Sequence, residues 1–166
     1  MDEAGPVFIS IGSNLGDRRA HCQSAVQQLQ RIVTLRRVSS LYETEPVEGP
    51  PQEWFYNAVV EVATPFTPRQ MLMHCQQIEH ARGRTRVVLK GPRTLDLDLL
   101  FWGHDMIQET DLWVPHPSAH CRGFVLIPLL EIAPDFVHPT LKARPQTLLD
   151  RLPNGFVGRK VGPLEF

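Results

Sequence analysis

Two aspartates separated by a single residue are the side chains of this sequence best suited to chemistry. They are Asp96 and Asp98, in the segment GPRTLDLD at 91–98. Alternation along a β-strand places both carboxylates on one face and the neighbouring leucines on the other. Their α-carbons then lie about 7 Å apart, so the side chains can converge on one or two hard cations. Magnesium suits such a pair, because it fills its remaining positions with water and phosphate oxygens.

The residues that precede this pair decide how it is interpreted. Two alternating aspartates alone are more typical of the solvated face of an antiparallel strand. The stretch 82–93 is interrupted by glycine and proline, which predicts a flexible loop, and it carries five cations: Arg82, Arg84, Arg86, Lys90 and Arg93. Because arginine binds phosphate oxygens in bidentate fashion, cations beside a carboxylate pair indicate a triphosphate site. A solvated basic loop, or one that contacts RNA, stays open as an alternative.

Three further motifs give weaker signals. GSNLGD at 12–17 follows a strand and precedes a helix, but it lacks the lysine ending of a Walker loop and is interpreted as a turn. Phe55, Tyr56 and Asn57 could stack on and hydrogen-bond a flat heterocycle, although such residues are more often core and turn. His116, within VPHP, could donate a hydrogen bond to phosphate. No histidine pair has the spacing of a catalytic zinc site.

Composition narrows the class of protein. The chain has 166 residues, 42% of them hydrophobic, and a formal net charge of −1, so it has no overall attraction to nucleic acid or anionic membrane. Its three cysteines are far apart, which argues against a disulfide framework or a structural zinc site. We expect a cytoplasmic protein without a membrane-spanning segment. We also expect one domain over 1–152 and a loosely packed C-terminal tail over 153–166.

The elements that must position these residues follow from the spacing of apolar side chains. Apolar stripes predict helices over 18–33, after an N-cap at Asp17, and over 68–82, with Thr67 before a proline. A further buried helix is predicted over 124–132, with Pro128 inside it. β-Branched or alternating stretches predict strands over 7–11, 35–42, 56–63 and 95–102, and a short one near 106–108.

The first six elements run strand, helix, strand, strand, helix, strand. That order is the split pattern of ferredoxin-like domains. It predicts an α+β fold in which helices pack on an antiparallel sheet, in three αβα layers.

Several segments, taken together, resemble hydroxymethyldihydropterin pyrophosphokinase of folate biosynthesis. They are FISIGSNLGD, YETEP, FYNAVVEV, GPRTLDLDLLFWG, VPHP and RGFVLIPLLEIAPD, and they run from Phe8 to Asp135. The resemblance implies a ferredoxin-like core with three mobile loops, which correspond in order to the GSNLGD turn, the TEPVEGPPQEW segment and the basic stretch at 82–93. It also implies that ATP binds before the pterin. It implies in-line attack of the pterin hydroxyl on the β-phosphorus of ATP, which releases AMP. The third loop departs from the family pattern, because Lys90 stands where an aromatic residue often precedes GPRT and the loop is about one residue shorter than in several relatives.

The resemblance also implies the site residues. Asp96 and Asp98 would hold two magnesium ions that bridge the ATP phosphates, and they would form the catalytic set with Arg84 and Arg93. The phosphate contacts would be Arg84, Arg86, Arg93, His116 and Arg122. The adenosine contacts would be Leu72, Gln76, Glu79 and Leu99. The pterin would lie between Phe55 and Phe124, with Asn57 at the ring edge and with backbone contacts from Thr44, Pro46 and Val47.

The implied partners are small molecules alone, ATP and hydroxymethyldihydropterin, bound by a monomer that contacts neither nucleic acid nor membrane. One alternative is a noncatalytic ferredoxin-like module that binds RNA or a small ligand. Paired aspartates on a sheet face disfavour it, because they would repel a phosphate backbone. A second alternative is an inactive relative with a regulatory role, and release of AMP discriminates against it.

Overall fold

The computed structural model describes residues 5–46, 49–84, 91–153 and 158–166. The strands are β1 (Val7–Ser13), β2 (Thr34–Val38), β3 (Leu41–Thr44), β4 (Phe55–Ala63), β5 (Asp96–Trp102), β6 (Ile107–Glu109), β7 (Leu112–Val114) and β8 (Gly158–Gly162). The helices are α1 (Arg18–Ile32), α2 (Pro68–Ala81), α3 (Gly123–Ile132) and α4 (Pro145–Asp150). None of the helices in these ranges is long and apolar enough to cross a membrane.

The two long helices begin where the sequence predicts. The Asp17 carboxylate accepts a hydrogen bond from the backbone N–H of Ala20 at 3.1 Å, which caps α1. Thr67 and Gln70 form a reciprocal capping box at the start of α2, and proline occupies the first turn. Both predicted caps are therefore confirmed.

The main sheet is antiparallel, and β1 lies between β5 and β4. The strand order is β5-β1-β4-β3-β8, and β2 pairs with the other half of β4. Strands β6 and β7 form a separate hairpin. Along β1, Ser10 lies opposite Asp98 and Gly12 lies opposite Asp96. The predicted strand ended before Gly12, whereas the structure continues β1 through Ser13 because both neighbouring strands supply partners there.

Helices cover both faces of the sheet, as predicted. Ile9, Ile11 and Leu97 belong to the core beneath α1 and α2. Phe8 and Phe101 belong to a second core beneath α3. The alternation of β1 therefore separates two apolar layers, and the predicted three-layer α+β architecture is confirmed.

One predicted strand is wrong. A single strand is predicted over 35–42, but the structure has β2 and β3 with a break at Ser39 and Ser40. The Ser39 hydroxyl donates to the Ser40 carbonyl and accepts from the Val59 N–H, and the Ser40 N–H donates to the Glu131 carboxylate. Serine side chains that bond to nearby backbone interrupt a strand ladder, and apolar spacing does not reveal this.

The last third of the chain contains elements that the sequence does not predict. The helix predicted over 124–132 is confirmed, with Pro128 inside it. Helix α4 and strand β8 are additional. Strand β8 pairs with β3, and Leu164 just beyond it is buried in the main core. The division of the chain at 152 stays a prediction.

Candidate active site

The predicted carboxylate pair lies on an open part of the sheet. Asp96 and Asp98 project from β5 on the α3 side, while Leu97 and Leu99 enter the core on the other side. This confirms the predicted alternation. The cross-strand partners are residues with little or no side chain, Gly12 and Ser10, so the sheet forms a floor beside the carboxylates instead of a filled core.

A first cleft of about 100 Å³ lies over this floor. It brings together all the pterin contacts implied by the resemblance that fall within the described residues: Thr44, Pro46, Phe55, Asn57 and Phe124. Asp96, Asp98, Arg93 and Arg122 line the same cleft. Val47 lies outside the described residues.

The polar edge of the first cleft depends on a close approach of backbone to side chain. Asn57 is 6% exposed and donates a short hydrogen bond to the Thr44 hydroxyl. A Cβ atom at Gly12 would lie 3.0 Å from Asn57 Oδ1 and 3.6 Å from the Phe55 ring. Glycine at position 12 therefore lets the amide and the ring sit directly on the sheet.

Two arginines neutralise Asp96. Arg84 Nη1 lies 2.6 Å from Asp96 Oδ1 and also pairs with Glu79, while Arg93 Nη1 lies 3.0 Å from Asp96 Oδ2. Burial alone would raise the pKa of Asp96, but the charges and hydrogen bonds of the two arginines outweigh it and lower the pKa. Asp96 is therefore ionised. Arg86 and Lys90 of the same basic stretch lie outside the described residues.

Asp98 is in the opposite situation. Its carboxylate makes no side-chain hydrogen bond or ion pair with any residue of the described ranges. Burial, together with the charges of Asp96 and Glu79, raises the pKa of Asp98 to about 7. A divalent cation would relieve this repulsion, and two carboxylates are the hard oxygen ligands that magnesium takes alongside phosphate and water. The residues at this point therefore fit magnesium.

A second cleft, of about 420 Å³, opens on the other side of Asp98. Its walls are Leu72 of α2, Leu97 and Leu99 of β5, the hairpin residues Asp111, Leu112 and Trp113, and His116 with Pro117. Leu72, Leu99 and His116 are thus brought together, as the resemblance implies for adenosine and phosphate. Gln76 is not among these walls and lies on the exposed side of α2. Glu79 is buried and accepts a hydrogen bond from the Leu97 N–H at 2.8 Å.

His116 is held as a neutral donor. Its Nδ1 accepts from the Ser118 N–H at 3.1 Å, so in the neutral ring the proton resides on Nε2. Burial and the nearby Arg122 charge lower the pKa of His116 to about 4. The ring can therefore donate one hydrogen bond without adding positive charge.

Asn14 is a positioning residue that the sequence analysis missed. It is 2% exposed, and its Oδ1 accepts from the Arg93 N–H at 2.9 Å, while its backbone N–H donates to the Arg93 carbonyl at 3.1 Å. Its Nδ2 donates to Gln52 Oε1 at 2.7 Å and to the Glu53 carbonyl at 2.9 Å. One amide thus joins three segments that border the first cleft. The signal is the asparagine of the GSNLGD motif, which the motif alone predicts only as a turn residue.

The family comparison is specific. Residues 8–134 match the family model described as 7,8-dihydro-6-hydroxymethylpterin-pyrophosphokinase (HPPK). The chain is 46% identical over 127 residues to the 2-amino-4-hydroxy-6-hydroxymethyldihydropteridine pyrophosphokinase of Bacillus subtilis (strain 168), covering 75% of this chain and 76% of that protein. It is 43% identical over 134 residues to the folic acid synthesis protein fol1 of Pneumocystis carinii, covering 80% of this chain and 18% of that protein.

Coverage differs greatly among the relatives. Besides the Pneumocystis protein, the folic acid synthesis proteins of Dictyostelium discoideum and Schizosaccharomyces pombe are matched over 23% and 20% of their lengths. The chain thus spans about a fifth of the length of these proteins. A crystal structure of HPPK-DHPS A437G from Plasmodium falciparum with SDX-DHP superposes with a TM-score of 0.72 at 15% identity, over 90% of this chain and 46% of that chain. At that identity the similarity concerns the fold alone.

Proposed function

This chain belongs to the 7,8-dihydro-6-hydroxymethylpterin-pyrophosphokinase family, and we propose that it moves pyrophosphate from ATP to the hydroxymethyl group of 6-hydroxymethyl-7,8-dihydropterin. The products are the pterin pyrophosphate and AMP, and the step belongs to folate biosynthesis. One observation carries the proposal: Asp98 lines both clefts. A group that passes from a ligand in one cleft to a ligand in the other must cross the carboxylate pair.

The first cleft suits the pterin. Phe55 and Phe124 supply aromatic surfaces for a flat bicyclic ring, and Asn57 supplies an amide for the donors and acceptors at the ring edge. Thr44 and Pro46 border the same space, which supports the backbone contacts assigned to them. The hydroxymethyl group would then point toward Asp96 and Asp98.

The second cleft suits the nucleotide. Leu72 and Leu99 provide an apolar wall for the base, and His116 offers a neutral N–H donor to a phosphate oxygen. Arg84 and Arg93 pair with Asp96, and Arg122 lines the first cleft, so we assign these arginines to the phosphates together with Arg86. Gln76, on the exposed side of α2, and Glu79, on its buried side, remain assigned to the adenosine.

The reaction requires in-line attack of the pterin hydroxyl oxygen on the β-phosphorus of ATP. A new P–O bond to the pterin forms, the bond between the β-phosphorus and the α-phosphate oxygen breaks, AMP leaves, and the hydroxyl proton passes to solvent. Magnesium held by Asp96 and Asp98, as two ions, would neutralise the triphosphate and orient it. Arg84 and Arg93 neutralise Asp96 in the free protein. Cation binding at Asp96 would release their guanidinium groups toward the phosphates, so catalysis rests on positioning and charge neutralisation.

We propose that the protein acts as a monomer. We assign the protein to the cytoplasm, because both proposed substrates are small soluble molecules. The experiment that tests the function is direct. Incubation with ATP, hydroxymethyldihydropterin and magnesium should release AMP and pterin pyrophosphate in equal amounts. ADP release, or binding of both ligands without AMP, would overturn the proposal and favour an inactive relative.

A further inference from the structure

An exposed arginine joins the two walls of the second cleft at its rim. Arg69 lies in the first turn of α2, three residues before Leu72, so both side chains share one face of the helix. Its Nε lies 3.1 Å from Glu109 Oε2, its Nη2 contacts the same oxygen, and its Nη1 lies 2.8 Å from Asp111 Oδ1. Glu109 and Asp111 belong to the β6–β7 hairpin, which forms the opposite wall.

The β6–β7 hairpin is separate from the main sheet. Within the described residues, β6 and β7 pair as strands only with each other. Leu112 and Val114 of β7 are buried in the main core, which anchors the base of the hairpin. Thr110 and Asp111 connect the paired residues Glu109 and Leu112, and Trp113 is 50% exposed where it borders the second cleft.

From these contacts we infer that Arg69 is a positioning residue for the nucleotide: it clasps the hairpin to α2 and so fixes the width of the second cleft. The inference rests on the proposed function, which places ATP in that cleft. The planar fork of arginine pairs with both carboxylates at once, which a point charge does not. Exposed ion pairs are screened by solvent and add little to the stability of the fold. Loss of Arg69 should therefore change the orientation of the hairpin wall of the second cleft more than it changes the stability of the fold.

Loss of the contacts between Arg69 and the hairpin should weaken the binding of ATP more than the binding of the pterin. If the hairpin samples open positions, the affinity for ATP falls in proportion to the fraction of molecules with a correctly spaced cleft. In Arg69→Met we expect the KM for ATP to rise about twofold, as for a competent fraction of about one half, with kcat and the pterin KM unchanged. Arg69→Lys should recover part of the loss.

The control is Arg31→Met. Arg31 is an exposed arginine on α1 with no ion pair to a residue in the described ranges, and it lies outside both clefts. Hydrogen exchange of the hairpin amides, measured on the free protein, should be faster in Arg69→Met than in wild type and unchanged in Arg31→Met. Exchange identical in both variants, or equal increases in the KM for ATP and for the pterin, would overturn the clasp.

A charge effect alone is distinguishable from a clasp. Without Arg69, the carboxylates of Glu109 and Asp111 would also repel the triphosphate. The triple variant Arg69→Met, Glu109→Gln, Asp111→Asn removes all three charges. A clasp predicts that its KM for ATP stays raised, whereas recovery of the wild-type KM would overturn positioning. If wild type released no AMP at all, the proposed function would fail, while hairpin exchange and calorimetric binding of magnesium ATP would still test the clasp.

Discussion

At the scale of single residues, the two aspartates that the sequence treats as equivalent have different surroundings. Asp96 forms ion pairs with Arg84 and Arg93, whereas the Asp98 carboxylate forms no ion pair with a residue of the described ranges. The same substitution should therefore have the same effect on catalysis and different effects on stability.

Asp96→Asn and Asp98→Asn should each lower kcat for AMP formation by two orders of magnitude or more, because loss of a preorganised electrostatic element typically costs ~3 kcal/mol. Urea unfolding at pH 8 without magnesium should separate them. Asp96→Asn should destabilise the protein by about 2 kcal/mol, since the Arg93 guanidinium loses its carboxylate partner and Arg84 loses one of its carboxylate partners. Asp98→Asn should be neutral or stabilising, because it removes an unpaired carboxylate. Asp105→Asn, in the exposed turn after β5, is the control. If Asp96→Asn and Asp98→Asn form AMP at the rate of this control, the metal-site assignment is wrong.

His116 should make stability depend on pH. Its pKa is about 4 in the folded protein and ordinarily 6.5, so between these values the unfolded chain binds more protons and stability falls as pH falls. Wild type should lose more free energy of unfolding between pH 7.5 and 5 than His116→Asn, whose amide oxygen can accept from the Ser118 N–H. His80→Asn, at an exposed position of α2, is the control. Equal losses in all three proteins would show that the His116 ring is not held neutral.

At the scale of elements, α3 is fastened to β3 by one carboxylate. Glu131 accepts hydrogen bonds from the Ser40 N–H at 3.0 Å, from the Ser40 hydroxyl at 3.2 Å and from the Tyr42 hydroxyl. Helix α3 carries Phe124 at its start, and β3 carries Thr44 at its end. The contact therefore sets the spacing of two elements that border the first cleft.

Tyr42→Phe should reduce the free energy of unfolding by about 1 kcal/mol, because a hydrogen bond to a carboxylate is lost while the buried ring remains. The pterin KM should rise more than the ATP KM, since α3 borders only the first cleft. Tyr56→Phe is the matched control. The Tyr56 ring packs under the Arg18 guanidinium, with 4.0 Å from ring centroid to Cζ, and this contact does not need the hydroxyl that the substitution removes. A pterin KM that rises equally in the two variants would contradict the role of the Glu131 contact.

At the scale of the whole molecule, the C-terminal segment completes the sheet. Strand β8 lies outside the region that matches the family model, yet it pairs with β3, and Arg159 of β8 and Arg18 of α1 both bond to Glu43. Leu164 is 7% exposed, whereas Phe166 is 52% exposed.

Leu164→Ala should therefore destabilise the protein by about 2 kcal/mol or more, as expected for truncation of a buried leucine. Phe166→Ala should change the free energy of unfolding by less than about 0.5 kcal/mol. Urea unfolding at one pH measures both. If the two variants are equally stable, residues 153–166 pack as loosely as their composition predicts.

The sequence by itself determined the local features of this protein. Helix caps at Asp17 and Thr67, and the common face of Asp96 and Asp98, depend on spacings of a few residues, and these predictions are confirmed. The α+β class followed from the order of the elements. The family followed from motifs that occur together, and in one order, between Phe8 and Asp135.

Tertiary structure decided what depends on residues far apart in the chain. Gly12 matters because Asn57 and Phe55 arrive from another strand, and Asn14 matters because Arg93 and Gln52 meet it. The second cleft arises because α2 and a separate hairpin face each other across β5, with Arg69 between them. Strand and helix periods describe one element at a time, so they carry no information on which elements meet, and only the packed sheet placed Asp98 between two clefts.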